Sequence, residues 1–174
     1  ATNLVTGIAN AYMDSVPLVA ITGNVAVSLL GKDSFQEVDI VGITQPIVKH
    51  NYIVREIAEL EGVLAEAFSI ATSGRMGPVL VDIPKSVQRD VFEYTGSGAR
   101  RTRSAPALPD IEEAVKAIEA SERPYIYCGG GVFASCAEGE VLELSRRLSA
   151  PIGLSMMGLP AIPHAYELNL GMSG

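Results

Sequence analysis

The residues best equipped for chemistry lie between positions 31 and 39. Gly31-Lys32-Asp33-Ser34-Phe35-Gln36-Glu37-Val38-Asp39 places an aromatic ring, an amide and three carboxylates on one connection. It follows an apolar run ending at Thr22-Gly23-Asn24 and precedes a short helical pattern. Loops so placed carry function disproportionately, because a sheet holds their ends while their side chains stay free. The same residues also suit a plain polar loop with a helix cap. Lys85 stands after Asp82-Ile83-Pro84, at the C-terminal end of a second apolar run, where an ammonium can meet a carboxylate or remain solvated. Arg75, next to Gly74, can cap helix carbonyls or reach an anion.

Further along, Gly129-Gly130-Gly131 sits where a strand pattern hands over to a helix. Absent Cβ atoms there admit a phosphate to the backbone N–H groups, although three glycines equally make a tight turn, and the spacing is not GxGxxG. Ser155-Met156 follows the next strand pattern, at the kind of strand end where open α/β sheets bind ligands; methionine is also a common core filler. Neither His50 nor His164 has a triad-like neighbour, and no HExxH or paired-cysteine motif exists, so hydrolase and zinc chemistry have no local support.

The elements that must position these residues are βα units. Residues 3–14 read as a helix with Thr2 or Asn3 as N-cap. Residues 17–23 form an apolar run without alternation, which suits a strand buried on both faces. Val38 to Ile43 form a short helix limited by Pro46, and Lys49 to Val54 a strand. Glu56 to Ser73 carry Ile57, Leu60, Leu64, Ala67, Phe68 and Ala71 at helical spacing, with Gly74 as the stop. Gly77 to Pro84 form a second buried strand, so strand, helix and strand imply a right-handed parallel crossover.

Residues 92–109, small, polar and proline-rich, read as a linker. Asp110 and Glu113 then make a capping-box-like start, with Ile111, Ala114, Val115 and Ile118 on one helix face. Strands at 124–128 and 151–155 flank a helix marked by Val141, Leu142, Leu144 and Leu148. The fold class is therefore α/β, with parallel-sheet βα units from two domains, 1–91 and 110–174.

Composition limits the partners. The 174 residues are 48% hydrophobic and 19% charged, with a net charge of −7, which argues against a nucleic-acid or anionic-membrane surface. Cys128 and Cys136 read as reduced, packed residues of a cytoplasmic protein. The chain starts inside a helical pattern and stops on Leu170-Gly171-Met172-Ser173-Gly174, read as a loop, so it is expected to be an internal piece of a longer protein.

Residues 1–9, 11–15 and 17–19, Ser34-Phe35-Gln36-Glu37, and Gly77-Pro78-Val79-Leu80-Val81-Asp82-Ile83-Pro84-Lys85 together closely resemble the large catalytic subunit of the acetolactate synthase (acetohydroxyacid synthase) family. The resemblance extends over essentially the whole chain. It implies a thiamine-diphosphate enzyme in which 1–91 is the latter part of the pyrimidine-binding domain and 110–174 the start of a Rossmann-like central domain. The implied activity decarboxylates pyruvate and condenses the two-carbon unit with pyruvate or 2-oxobutyrate, for branched-chain amino-acid synthesis. Thiamine diphosphate, Mg²⁺ and FAD are the implied cofactors. The implied partners are 2-oxo acids, a homodimer or homotetramer, and a small regulatory subunit.

Carried over by resemblance, Phe35 and Gln36 match the active-site loop and Lys85 the lysine of the substrate channel. Arg75 matches an arginine that contacts FAD, and Gly129, Gly130, Gly131, Ser155 and Met156 lie near the same cofactor. Asn3 lies close to the aminopyrimidine. Asn24, Ala26, Met76 and Ser173 replace the family's Gln, Pro, Pro and His, positions that bear on inhibitor response and FAD affinity. The activating glutamate and the Gly-Asp-Gly motif that holds Mg²⁺ fall outside these residues, so the piece alone is expected to be inactive. Glyoxylate carboligase or pyruvate oxidase is the alternative within this enzyme group, and a stand-alone nucleotide-binding module the alternative outside it.

Overall fold

A computed structural model describes residues 1–94, 96 and 111–173. The chain forms two compact units, Ala1–Ala105 and Pro106–Gly174. Most of the expected linker, and Asp110 of the expected capping box, lie outside the described residues.

In the first unit, helix α1 (Val5–Met13) continues a 3-10 turn at Thr2–Leu4 and leads into strand β1 (Leu18–Asn24). No side chain caps that start, so neither Thr2 nor Asn3 is the cap. Helix α2 (Ile40–Thr44) begins at Asp39, whose side chain accepts from Gly42 N at 2.8 Å, and Pro46 falls in the 3-10 turn after it. Strand β2 (His50–Ile53), helix α3 (Leu60–Ala71) and strand β3 (Pro78–Pro84) follow. Helix α4 (Lys85–Arg89) starts directly from Pro84, where the sequence indicated only the end of a strand.

The sheet order is β1-β3-β2, with both outer strands parallel to β3. Val79, Leu80 and Val81 of the central strand are fully buried, as a continuous apolar run dictates. Leu80 packs with Ile8, Ala20, Ile40 and Val48 on one face, while Val79 and Val81 pack with Ala67 and Ala71 of α3 on the other. Strand β1 departs from the expected burial on both faces: it lies at the sheet edge, and Ile21 is 55% exposed.

Thr22 and Asp82 face each other in the β1–β3 register, and both are buried. Asp82 accepts from the Thr22 hydroxyl at 2.7 Å and from the Asn24 amide at 2.6 Å. Asn24 Oδ1 in turn accepts from Val25 N at 2.9 Å, so the carboxylate fixes how the chain leaves β1. A buried carboxylate persists only when donors replace its water.

The second unit holds helix α5 (Glu112–Glu119), strand β4 (Ile126–Cys128), helix α6 (Gly130–Ser135), helix α7 (Glu138–Leu148), and strands β5 (Ile152–Leu154) and β6 (Asn169–Met172). Its sheet, β4-β5-β6, is parallel throughout. Three sequence expectations change here. Leu170 and Met172 lie in a paired strand rather than a loop, with a register shift against β5 and Gly171 at φ +76°. Cys136 is exposed rather than packed, because it caps α6 in a left-handed conformation; Cys128 is buried as expected. The apolar stripe of α5 exists, yet Ile111, Val115 and Ile118 are exposed.

Asp82→Ala leaves the buried Thr22 hydroxyl and the part-buried Asn24 amide without their acceptor, at about 1–3 kcal/mol for the buried donor and less for the other. Urea unfolding should show the larger loss for Asp82→Ala and a smaller one for Asp82→Asn, which keeps one acceptor oxygen. Equal midpoints for wild type and Asp82→Ala would contradict the role given to this network.

Candidate functional site

The C-terminal ends of β1, β2 and β3 open into a cleft of about 370 Å³. Asn24 and Asp82 line it from the sheet, Ile53 and Arg55 from the end of β2, and Glu37 and Asp39 from the long loop. Three carboxylates and one guanidinium thus share a concavity at the sheet edge where parallel α/β folds bind ligands.

One carboxylate closes the loop. Glu37 accepts from Ser34 N at 2.9 Å and from Gly31 N through its other oxygen. The Ser34 hydroxyl donates to Leu29 O at 3.2 Å. The closed turn holds Asp33 at φ +52° and Gln36 at φ +58°, each costing a non-glycine residue roughly 1–2 kcal/mol. Phe35 points outward and is 88% exposed. Gln36 is also exposed, so both stand at the loop tip beside the cleft and do not line it.

Lys85 is exposed at the first position of α4. Its neighbour Ser86 accepts from Val27 N at 3.1 Å, which ties α4 to the start of the loop segment. Among the described residues no hydrogen bond joins Phe35, Gln36 and Lys85 to one another. Asn3 is exposed in the 3-10 turn ahead of α1. Arg75 donates to Ser15 Oγ at 2.8 Å and to Met13 O at 3.3 Å, so it caps the C-terminal end of α1 as its charge favours.

In the second unit Gly129 precedes α6, and Gly130 and Gly131 form the helix's first turn rather than a free loop. A Cβ on Gly130 would lie 3.0 Å from Met157 Cβ, so that glycine serves close packing, whereas none of Gly131's surroundings come within 4 Å. Ser155 Oγ accepts from Gly158 N at 3.2 Å and caps the following 3-10 turn, leaving Met156 73% exposed. Among the described residues no group of three or more His, Cys, Asp or Glu side chains is arranged to hold a metal ion, and no helix is long and apolar enough to cross a membrane.

Sequence reasoning missed Arg55 as a cleft residue and the Thr22–Asp82–Asn24 network. The available signal was a polar residue inside each of two apolar strands, but their partnership depends on register. Asn24 has a structural role here, since its amide is committed to Asp82.

Residues 111–174 match the family described as thiamine pyrophosphate enzyme, central domain, and residues 1–43 match thiamine pyrophosphate enzyme, N-terminal TPP binding domain. Similar proteins include the acetolactate synthase isozyme 1 large subunit of Escherichia coli (strain K12), 49% identical over 177 residues, covering 100% of this chain and 31% of that protein. The acetolactate synthase of Arthrospira platensis is 46% identical over 181 residues, covering 100% and 31%. The acetolactate synthase large subunit of Corynebacterium glutamicum is 45% identical over 179 residues, covering 100% and 29%. The chain therefore spans just under a third of the length of the curated relatives it matches.

Hydrogen bonds from Ser34 N first, and Gly31 N next, hold the Glu37 carboxyl below the ordinary glutamate range. A lowered folded value means that loop closure is complete above the ordinary glutamate pKa and is lost as pH falls through the lowered one. An NMR titration should show Gly31 and Ser34 amide shifts moving together, with a midpoint below that of a free glutamate side chain. A midpoint at or above that value would contradict the closure.

Proposed function

We propose, with its kinship to acetolactate synthase large subunits as premise, that this chain supplies the substrate-loop and FAD-side parts of such a subunit. The complete protein would decarboxylate pyruvate and transfer the two-carbon unit to pyruvate or 2-oxobutyrate. The observation that carries this reading is the sequence similarity along the whole chain, coupled to a loop with Phe35 and Gln36 standing beside the cleft at the strand ends.

Phe35 supplies an apolar surface that excludes water from the reacting centre, and the Gln36 amide orients a substrate oxygen. Lys85, an exposed ammonium at the start of α4, attracts and orients the carboxylate of a 2-oxo acid. Thiamine diphosphate supplies the carbanion chemistry when bound. Asn3, in an exposed turn, is available to its aminopyrimidine. Mg²⁺ and the diphosphate would be held by residues other than those described here.

For FAD, Gly131 leaves its Cβ direction open and fits an approaching diphosphate, whereas a Cβ on Gly129 would meet Ser155 Oγ at 3.9 Å and Gly130 is already packed on Met157. Ser155 and Met156 flank that position. Arg75 can keep its bonds to Ser15 and Met13, made through Nε and Nη2, and still present Nη1 to an anion. The complete subunit is proposed to assemble as a homodimer or homotetramer, with a small regulatory subunit, in the cytoplasm.

Lys85→Met in the complete subunit should lower kcat/KM for pyruvate by about 10²-fold, the scale of a lost positioning contact. Acetolactate formed from pyruvate, and acetohydroxybutyrate formed with added 2-oxobutyrate, provide the readout. Absence of both products from the wild-type protein would sink the proposed activity, and full activity in Lys85→Met would remove Lys85 from the site.

A further inference from the structure

Glu37 does more than sit in the cleft wall. Its two oxygens take different amides, Ser34 N and Gly31 N, and Glu37 N donates back to Ser34 O at 3.0 Å. One side chain therefore closes a ring over residues 31–37. Gln36, the residue before it, is in the left-handed region at φ +58°, and Gly31 at the far end of the ring has φ +75°. Apart from Ser34 Oγ to Leu29 O, no other side-chain hydrogen bond among the described residues fixes this segment. The position of Gln36 is thus set by the Ser34–Glu37 turn bond together with the Glu37 carboxylate, which ties that turn back to Gly31.

We propose that Glu37 is a positioning residue that holds Gln36 in its left-handed conformation beside the cleft. The inference rests on the reading of Gln36 as a substrate-side residue and deepens it, since it states what keeps that amide aimed. An exposed loop without such a tie samples many conformations, and each one away from the productive geometry lowers the turnover rate. Ordering the loop in advance removes that loss.

A double-mutant cycle in the complete subunit, with Glu37→Gln, Gln36→Ala and both together, tests this. Glu37→Gln keeps the side chain's size and one acceptor but cannot receive both amides. Hydrogen exchange at Gly31 and Ser34 should quicken at least about tenfold in Glu37→Gln, and kcat should fall by a similar factor, the low end for losing one hydrogen bond to a charged acceptor. The double variant should lose no more than Gln36→Ala alone, within about twofold, because Glu37 acts through Gln36.

Unchanged exchange in Glu37→Gln, or losses that multiply in the double variant, would overturn the proposal. Wild-type kcat in Gln36→Ala would instead remove Gln36 from the reaction, and the exchange rates would still decide whether Glu37 closes the loop.

Discussion

The buried carboxylate of Asp82 is the interaction on which the first unit's functional end depends. A fully buried Asp in the central strand of a parallel sheet needs donors for both oxygens, and the β1–β3 register supplies Thr22 opposite and Asn24 just beyond. That demand fixes where β1 ends and directs Val25 away from the sheet. The chain is caught again two residues later, when Val27 N donates to Ser86. The cleft, the start of the 31–39 loop and the α4 segment bearing Lys85 are therefore built from one set of local constraints.

Beyond that tie the loop is governed by its own chemistry. It carries two non-glycine residues in left-handed backbone and an almost wholly exposed Phe35, neither of which packing against the sheet would select. Such local cost is common where geometry serves function. Glu37 and Asp39 are both acidic, yet their tasks differ: the first closes the loop, and the second caps α2.

Much of this architecture was legible in the sequence, because uninterrupted apolar runs and helical spacing depend on local composition. Val79 to Val81 read as a buried strand and are one. Ile21 belongs to a similar run but is exposed, since burial depends on whether a neighbour covers the strand and not on the strand itself. The α4 helix escaped notice because five residues after a proline leave too short a pattern. Likewise β6 was hidden by Gly171, whose positive φ accompanies a shifted register. The role proposed for Ser34-Phe35-Gln36-Glu37 rests on family resemblance; by composition it is an ordinary loop. The ring closed by Glu37 and the partners of Asp82 required coordinates, because neither register nor side-chain direction is written in spacing. In the second unit, Tyr125 reaches Ser173 Oγ at 3.3 Å across Gly153, so Ser173 has a local partner.

The most direct test is a crystal structure of the complete subunit with thiamine diphosphate and a non-reactive 2-oxo acid analogue. The account predicts the Gln36 amide and the Lys85 ammonium within hydrogen-bonding distance of the analogue, directly or through one water, with Asp82 still bonded to Thr22 and Asn24. An analogue bound beside the cofactor with Gln36 and Lys85 both turned away from it would contradict the account.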